Sequence, residues 1–395
     1  MAIAAGNQRQ MSHVKEVTPG TDPGTPYTID RFLAGARLAN EAGELKSGEM
    51  TPDRSVAPGA TGTKRVKFTG PFELSFGSHK DYIESAMSAA WVVPGAANPA
   101  LTVTVVAGAV NTMGATGIGT NIAVGDWVKI SGFTAGNIGN NGYYRCTART
   151  ADLLTFGEAK DAAGASLLTA CTSIAGISSQ KMGSISAGAI QKALAIESAQ
   201  ADINVFERAL GVQIDKFALS IKQGAIITGS FDGLGLQLPG PAAVKYRTGS
   251  DVAAPTGAPF TGNAAKSYLW IDGAVVAVVT GIDLSLMNGR EDLVGVFQEV
   301  AYGILMGRSD LSGSMTIAFT DAVMMGKAFA GTRVALRMKL MDPLGTSGYA
   351  IDIPTVKLAI PSEDRQENKV FHTYGWQAEK DSATGIVNMK ISELA

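Results

Sequence analysis

The run Val212-Gln213-Ile214-Asp215-Lys216-Phe217-Ala218-Leu219-Ser220-Ile221 alternates apolar and polar residues, pauses at Gln223-Gly224, and is answered by Ala225-Ile226-Ile227-Thr228-Gly229-Ser230-Phe231. Successive side chains of an extended chain point to opposite faces, so a period of two marks a half-buried strand. Two such strands about a glycine turn read as a β-hairpin. The pattern recurs outward. Val275 to Thr280 and Ile282-Asp283-Leu284-Ser285-Leu286 lead through Asn288-Gly289, and Gly313-Ser314-Met315-Thr316-Ile317-Ala318-Phe319 comes further on. Residues 193–197, 333–341, 349–360, 370–376 and 386–391 read as further strands. A mainly β chain is expected.

One unit appears twice. A strand with alternating apolar residues runs into a short helix at Phe72–Trp91, and again at Met315–Ala330. In the first copy Val66, Phe68, Phe72, Leu74 and Phe76 mark the strand. Ser78-His79-Lys80-Asp81 then has the form of a helix capping box. Tyr82, Ile83, Ala86, Met87, Ala90 and Trp91 follow as one apolar stripe. In the second copy Asp321 opens a helix over 322–330, which ends at Gly331, a good C-cap residue. Internal duplication fits one pseudo-symmetric domain. Ala201 to Leu210 read as a short helix or turn. Residues 1–30, with Pro19, Pro23 and Pro26, read as a flexible or draped arm. Residues 36–66, with Pro52 and Pro58, and residues 238–264 read as long loops.

The composition changes after the first helix. From Ser85 to Gly125 there is no Asp, Glu, Lys or Arg. This region has its own strand signals at Leu101–Val106, Gly125–Phe133, Tyr143–Arg149 and Leu153–Phe156, with a turn at Asn140-Asn141-Gly142. The expected division is therefore 1–93 as the first part of the main domain, 94–178 as an inserted small all-β domain, and 179–395 as the second part.

Charge and chemistry narrow the function. The 395 residues include 33 Lys+Arg and 35 Asp+Glu, a net charge of −2. Charged residues make up 17%, against roughly 25% in an average soluble protein. A nucleic-acid clamp needs a Lys/Arg excess, which is missing. Disorder is excluded by the 46% of hydrophobic residues. Cys146 and Cys171 are too few for a disulfide framework. The start lacks a basic-then-apolar signal, and no run approaches the roughly 18 apolar residues that cross a bilayer. Synthesis in a reducing bacterial cytoplasm, with no membrane anchor, is the expectation.

No catalytic motif is found, and neither a cofactor nor a metal is expected. His13, His79 and His372 do not sit at ligand spacing and read as structural or solvated. Gly-x-Ser-x-Gly is absent, and the glycine-rich 111–119 stretch has no lysine to hold a phosphate. Glu291-Asp292, beside Arg290, reads as a solvated loop, and Glu363-Asp364-Arg365 as a mixed-sign surface run. Lys64-Arg65-Val66-Lys67 reads as a charged strand flank or a salt-bridging surface. Trp91, Trp127, Trp270 and Trp376 read as core or interface anchors.

The order of elements resembles the tail tube protein (major tail protein) of long-tailed, non-contractile bacteriophages. Four passages carry the likeness: Phe72 to Trp91; Ala193 to Leu236, including Leu219-Ser220-Ile221 and Gly229-Ser230-Phe231; Gly313 to Asp321; and Ile351-Asp352-Ile353-Pro354-Thr355-Val356. Residues 94–178 resemble the small β modules that such proteins carry on the tube exterior. The resemblance implies a tail-tube-type β-sandwich or half-barrel flanked by short helices. It implies copies that assemble as three or six per ring, and rings that stack into a hollow tube in the virion. Further implied partners are the tail terminator, tail tip and tape measure proteins, and double-stranded DNA passing without tight binding. An enzyme is not expected. The alternative is another virion or bacterial surface β-protein, such as a head decoration or adhesion module.

Overall fold

The computed structural model describes residues 9–49, 59–161, 163, 165–246, 249–264, 266–276, 278–319, 322–366, 369–381 and 388–395. The chain enters through β1 (Arg9–Glu16), β2 (Thr28–Ile29), β3 (Arg37–Leu45) and β4 (Ala60–Glu73), then helix α1 (Lys80–Met87). Next come β5 (Asn98–Val106), β6 (Thr112–Gly114), β7 (Trp127–Ser131), β8 (Gly142–Arg145), β9 (Ala148–Arg149), β10 (Leu153–Thr155) and β11 (Cys171–Lys181). These seven make a sheet of their own, in the order β8-β7-β11-β5-β6-β10-β9. The main body resumes with β12 (Ser184–Ser186), β13 (Ala193–Gln200), β14 (Val205–Lys222), β15 (Thr228–Gly235), β16 (Tyr268–Ile271), β17 (Ala274–Val275) and β18 (Val279–Met287). A small hairpin, β19 (Glu291–Leu293) and β20 (Gly303–Leu305), precedes β21 (Asp310–Ala318) and helix α2 (Val323–Ala330). β22 (Arg333–Met341), β23 (Gly348–Leu358), β24 (Ser362–Gln366), β25 (Lys369–Ala378) and β26 (Lys390–Leu394) close the chain. The fold is mainly β, as the alternation predicts.

β14, 18 residues long, is the spine of the main sheet. It pairs with β13 along its first half and with both β15 and β18 along its second. Its odd-numbered apolar residues, Phe217 and Leu219, face the core. There Phe231 stacks between Phe72 at 4.6 Å and Phe217 at 5.1 Å. Helix α1 covers this cluster with Tyr82, Ile83, Ala86 and Met87, all buried. Each fully buried side chain of this size contributes about 1.5–3 kcal/mol of burial. The unit of strand then helix is present at both expected places.

Several local expectations are corrected. The arm is not loose over its described part: β1 pairs with β13 residue for residue, from Arg9↔Gln200 to Glu16↔Ala193. Its polarity hid the strand because Ser12 and His13 are both buried, and His13 takes its partners, Asp30 and Asp81, from outside the strand. Within 36–66, Arg37–Leu45 and β4 form a long hairpin. Its backbone ladder sustains it, since β3 is exposed apart from buried Leu38 and half-buried Ala39 and carries no apolar stripe. Pro52 and Pro58 lie outside the described residues. Residues 201–204 turn, with Asn204 at φ 52°, and 205–210 are strand, not helix. Phe206 and Leu210 stand four apart, a spacing that shares a face in a strand as well as in a helix.

The capping box also fails to form. His79 is the N-cap residue and its side chain makes no capping bond. The Ser78 hydroxyl accepts from Ser75 at 2.7 Å, and Asp81 turns to His13 and Lys15. Helix α1 stops at Met87, closed by Ser88 at φ 50°, so Ala90 and Trp91 lie beyond it. Gly331 caps α2 at φ 64°, as expected, while Asp321 lies outside the described residues. β11 was not foreseen, because its Ser, Thr and Gly residues carry no alternation.

The β5–β11 sheet is bolted to the main body. The two chain ends of the segment meet where Val92 and Ser184 exchange backbone hydrogen bonds of 2.7 and 3.0 Å. Trp127 donates its indole N–H to Asp352 at 2.9 Å and stands 6.1 Å from Trp270. The Tyr143 hydroxyl donates to the Thr346 carbonyl at 2.9 Å. Lys181 and Lys390 flank Asp126 at 2.9 and 3.0 Å. Glu158 takes Arg145 from its own sheet and Arg337 from β22.

The two buried histidines near α1 set a pH dependence. His13 lies between Asp30 at 2.7 Å and Asp81 at 3.3 Å. Burial alone would lower its pKa, but the two carboxylates outweigh burial and raise it to about 10. His79 is pushed down to about 3, chiefly by burial, with the charges of His13 and Arg31 adding to it. His13 binds its proton more tightly when folded, so its contribution is complete below pH 6.5 and fades as pH rises toward 10. His79 binds its proton less tightly when folded, so its contribution is complete above pH 6.5 and fades as pH falls toward 3. Urea unfolding across this range is expected to give a maximum near pH 6.5, and His13→Gln to flatten the alkaline limb. An unchanged alkaline limb in that variant would contradict the assignment.

Candidate functional site, a polar sheet face

The candidate site is a whole sheet face, opposite the aromatic core. The strands β3-β4-β15-β14-β18-β21-β25-β24 lie side by side, each antiparallel to the next. Register aligns residues into rows across them. One core-facing row is Phe72–Gly229–Leu219–Leu284–Gly313–Trp376. Its two glycines are required: a Cβ on Gly229 would stand 2.5 Å from the Phe72 ring, and one on Gly313 2.4 Å from Trp376. Aromatic rings therefore lie flat over glycine backbone, which keeps the sheet tightly packed at those points.

The next rows face away from the core. One reads Pro71–Ser230–Ala218–Ser285–Ser312–Gln377, and its neighbour Glu73–Thr228–Ser220–Asp283–Ser314–Gly375. These middle rows hold two carboxylates and no Lys or Arg. Cations stand at the margins, among them Arg37, Arg65, Lys67, Lys216, Lys222 and Lys369. Ser220 donates to Asp283 at 2.7 Å, Ser314 to the other Asp283 oxygen at 3.4 Å, and Thr316 shares a 2.9 Å bond with Thr373. Four of these short side chains thus have partners within the face itself. The surface is a shallow trough of about 410 Å³, lined by Lys216, Ala218, Ser230, Asp283, Ser285 and Ser314 among others.

The sequence matches the family described as phage tail tube protein over residues 6–378. The chain belongs to that family. It is a structural protein of the phage tail, found in the virion tail. No curated protein matches the sequence. Among the described residues, no helix is long and apolar enough to cross a membrane.

The residues singled out in the sequence fall into place around this tail tube protein's polar face. His13, His79 and His372 are all buried. Among the described residues, no group of three or more His, Cys, Asp or Glu could hold a metal ion. Cys146 is buried and Cys171 half-buried, both as free thiols. The basic cluster forms ion pairs, Lys64–Glu299 at 2.9 Å, Arg65–Asp292 at 3.0 Å and Lys67–Glu41 at 2.6 Å, as its salt-bridging reading predicts. The turn at 290–292 is not a solvated loop. Glu291 and Asp292 begin β19, and Arg290 is buried at 4% exposure. A lone Arg in a turn gives no warning of burial, because its partners are backbone carbonyls and neutral side chains far off in the chain. The polar face was also missed as a unit. Its signal was present in the parity of Ser and Thr along each strand, but which strands stand side by side is not local information.

Proposed function

We propose that copies of this chain close into rings, that the rings stack into a hollow tube, and that the polar face lines the bore through which DNA leaves. The observation that carries this reading is the cation-free pair of middle rows. Each lumenal Lys or Arg would add a phosphate contact and release counterions, tightening the grip on DNA. Short, uncharged Ser and Thr side chains, with scattered carboxylates, leave the phosphates of a passing duplex no cation to hold.

The sheet borders support closure. β3 pairs only with β4, and β24 only with β25, so their outer edges are open among the described residues. The eight alternating strands are even in number, so β3 and β24 run in opposite senses. Rotating a copy about the pore axis therefore brings β24 of one copy antiparallel to β3 of the next, and the ladder continues without an edge. Three or six copies complete the ring, with the terminator, tip and tape measure proteins at its ends and core. The β5–β11 sheet rides outside, as a module spanning about 94–178.

Electron microscopy of the concentrated protein tests this. Tubes or stacked rings are expected, and persistent monomers would refute it. A chain whose residues 95–181 are replaced by a short Gly-Ser linker is expected to assemble equally well, since Gly95 and Lys181 are already joined by a 3.0 Å backbone bond. Loss of assembly in a variant that still unfolds cooperatively in urea would place the module in the wall.

A further inference from the structure

The hairpin between β18 and β21 presents apolar side chains to solvent. Val296, Phe297 and Tyr302 are exposed, Phe297 completely at 103%. Phe297 also holds φ at 67°, a left-handed conformation that strains a bulky residue. Yet the hairpin is firmly mounted. Ala301 and Ile304 are buried against Leu236, and Gln191 donates to the Ile304 carbonyl at 2.8 Å. The Lys64 backbone N–H donates to the Glu299 carbonyl at 2.7 Å, and the Lys64 and Arg65 ion pairs described above lash the hairpin to β4.

A complementary hollow lies at the opposite end of the same strands. The hairpin springs from the Met287 and Asp310 ends of β18 and β21, which are aligned in register. At the other end, beyond Ile317 and Ala318, a cleft of about 300 Å³ opens under α2. Its apolar lining includes Ile271, Val276, Phe319, Val323 and Met324. Helix α2 itself buries only Ala328, leaving Val323 and Phe329 exposed. Charge does not oppose the shape. Residues 291–305 carry three carboxylates and no cation, with Asp292 and Glu299 already paired to Arg65 and Lys64. The described lining of the cleft carries Lys327, itself paired with Asp272, and no carboxylate.

We propose that the Val296-Phe297 tip of one copy inserts into the α2 cleft of the next copy along the tube axis. This rests on the tube reading above and names its ring-to-ring contact. Knob and hole are different surfaces at opposite ends of one strand pair. The contact is therefore heterologous and, repeated along the strand direction, does not close on itself. Such a contact builds a stack of rings, whereas the sheet edges build the ring.

Phe297→Asp tests it, with Val323→Asp as the matching change on the other side. Both residues are exposed, so both variants are expected to keep the wild-type urea midpoint. Each is expected to lower the yield of sedimentable tubes by roughly tenfold or more, as loss of an aromatic hot spot does, while single rings persist. A chain carrying Phe297→Cys and Val323→Cys is expected to cross-link into ladders in tubes but not in isolated rings. If Phe297→Asp forms tubes as well as the wild type, the inference is overturned and the tube reading stands. If that variant loses rings as well as tubes, the hairpin belongs to ring closure and the inference is again overturned. If the wild-type chain forms no tubes at all, the reading beneath it falls too.

Discussion

Arg290→Ala is expected to lower the unfolding free energy by about 4 kcal/mol or more, the sum of several buried acceptors left unsatisfied at about 1–3 kcal/mol each. The guanidinium donates to the Ile214 carbonyl at 2.9 Å, to the Ser88 hydroxyl at 2.8 Å, to the Ser85 carbonyl at 3.1 Å and to the Gln213 side chain. Its backbone N–H donates to Asp215 at 2.6 Å. Burial pulls its pKa down to about 10 against the opposing charge of Asp215, so it stays protonated at neutral pH. One side chain thereby ties three things together. These are the end of α1, where a cation suits the exposed carbonyls, the register shift of β14 at Ile214/Lys216, and the base of the 291–305 hairpin. Arg290→Lys is expected to recover only part of the loss, because an ammonium cannot span four acceptors in a plane. Urea unfolding at pH 7 measures both. A loss below about 1 kcal/mol for the alanine variant, the worth of one ordinary hydrogen bond, would sink this account.

The second large effect concerns the bore. Ser230→Lys, Ser285→Lys and Ser314→Lys together place three cations in the middle rows of the polar face. All three positions are on the sheet surface away from the core, so each is expected to change stability by no more than about 0.5 kcal/mol. Tubes should assemble normally. DNA retention should not remain normal. Three phosphate contacts per copy correspond to a salt slope of about −2.7 in log K against log salt, from about −0.9 per contact. Repeated in every copy along a tube, this grip is expected to cut phage titre by roughly a hundredfold or more and to make ejection faster at high salt. The matching Ser→Asp triple is the control and should leave titre near wild type. Equal titres for the lysine and aspartate variants would show that this face does not meet DNA.

Much of this architecture is legible in local pattern. Alternation in 212–221, 225–231 and 313–319 marks strands because a pleated chain with one wet and one dry face must alternate. Gly331 ends α2 because a left-handed residue closes a helix. The charge deficit by itself points away from tight nucleic-acid binding. The failures have two causes. β1 looks like a polar arm and Arg290 like a surface residue because the deciding partners lie far off in the chain, whereas β3 looks like a loop because its ladder with the next strand carries no apolar stripe. His13 is paid for by Asp30 and Asp81, and Arg290 by carbonyls of Ser85 and Ile214.

By itself, then, the sequence determined the strands, the two strand-and-helix units and membership of the tail tube family, since these rest on short-range periodicity and order. Only the tertiary structure decided which strands are neighbours. That choice aligned the Ser and Thr residues into two middle rows without cations, left β3 and β24 as opposite open borders among the described residues, and set an apolar knob and an apolar hollow at the two ends of one strand pair. Backbone hydrogen bonding between strands is indifferent to side-chain identity. Register and neighbour therefore emerge from the packing of the whole core, and they cannot be read from any single segment.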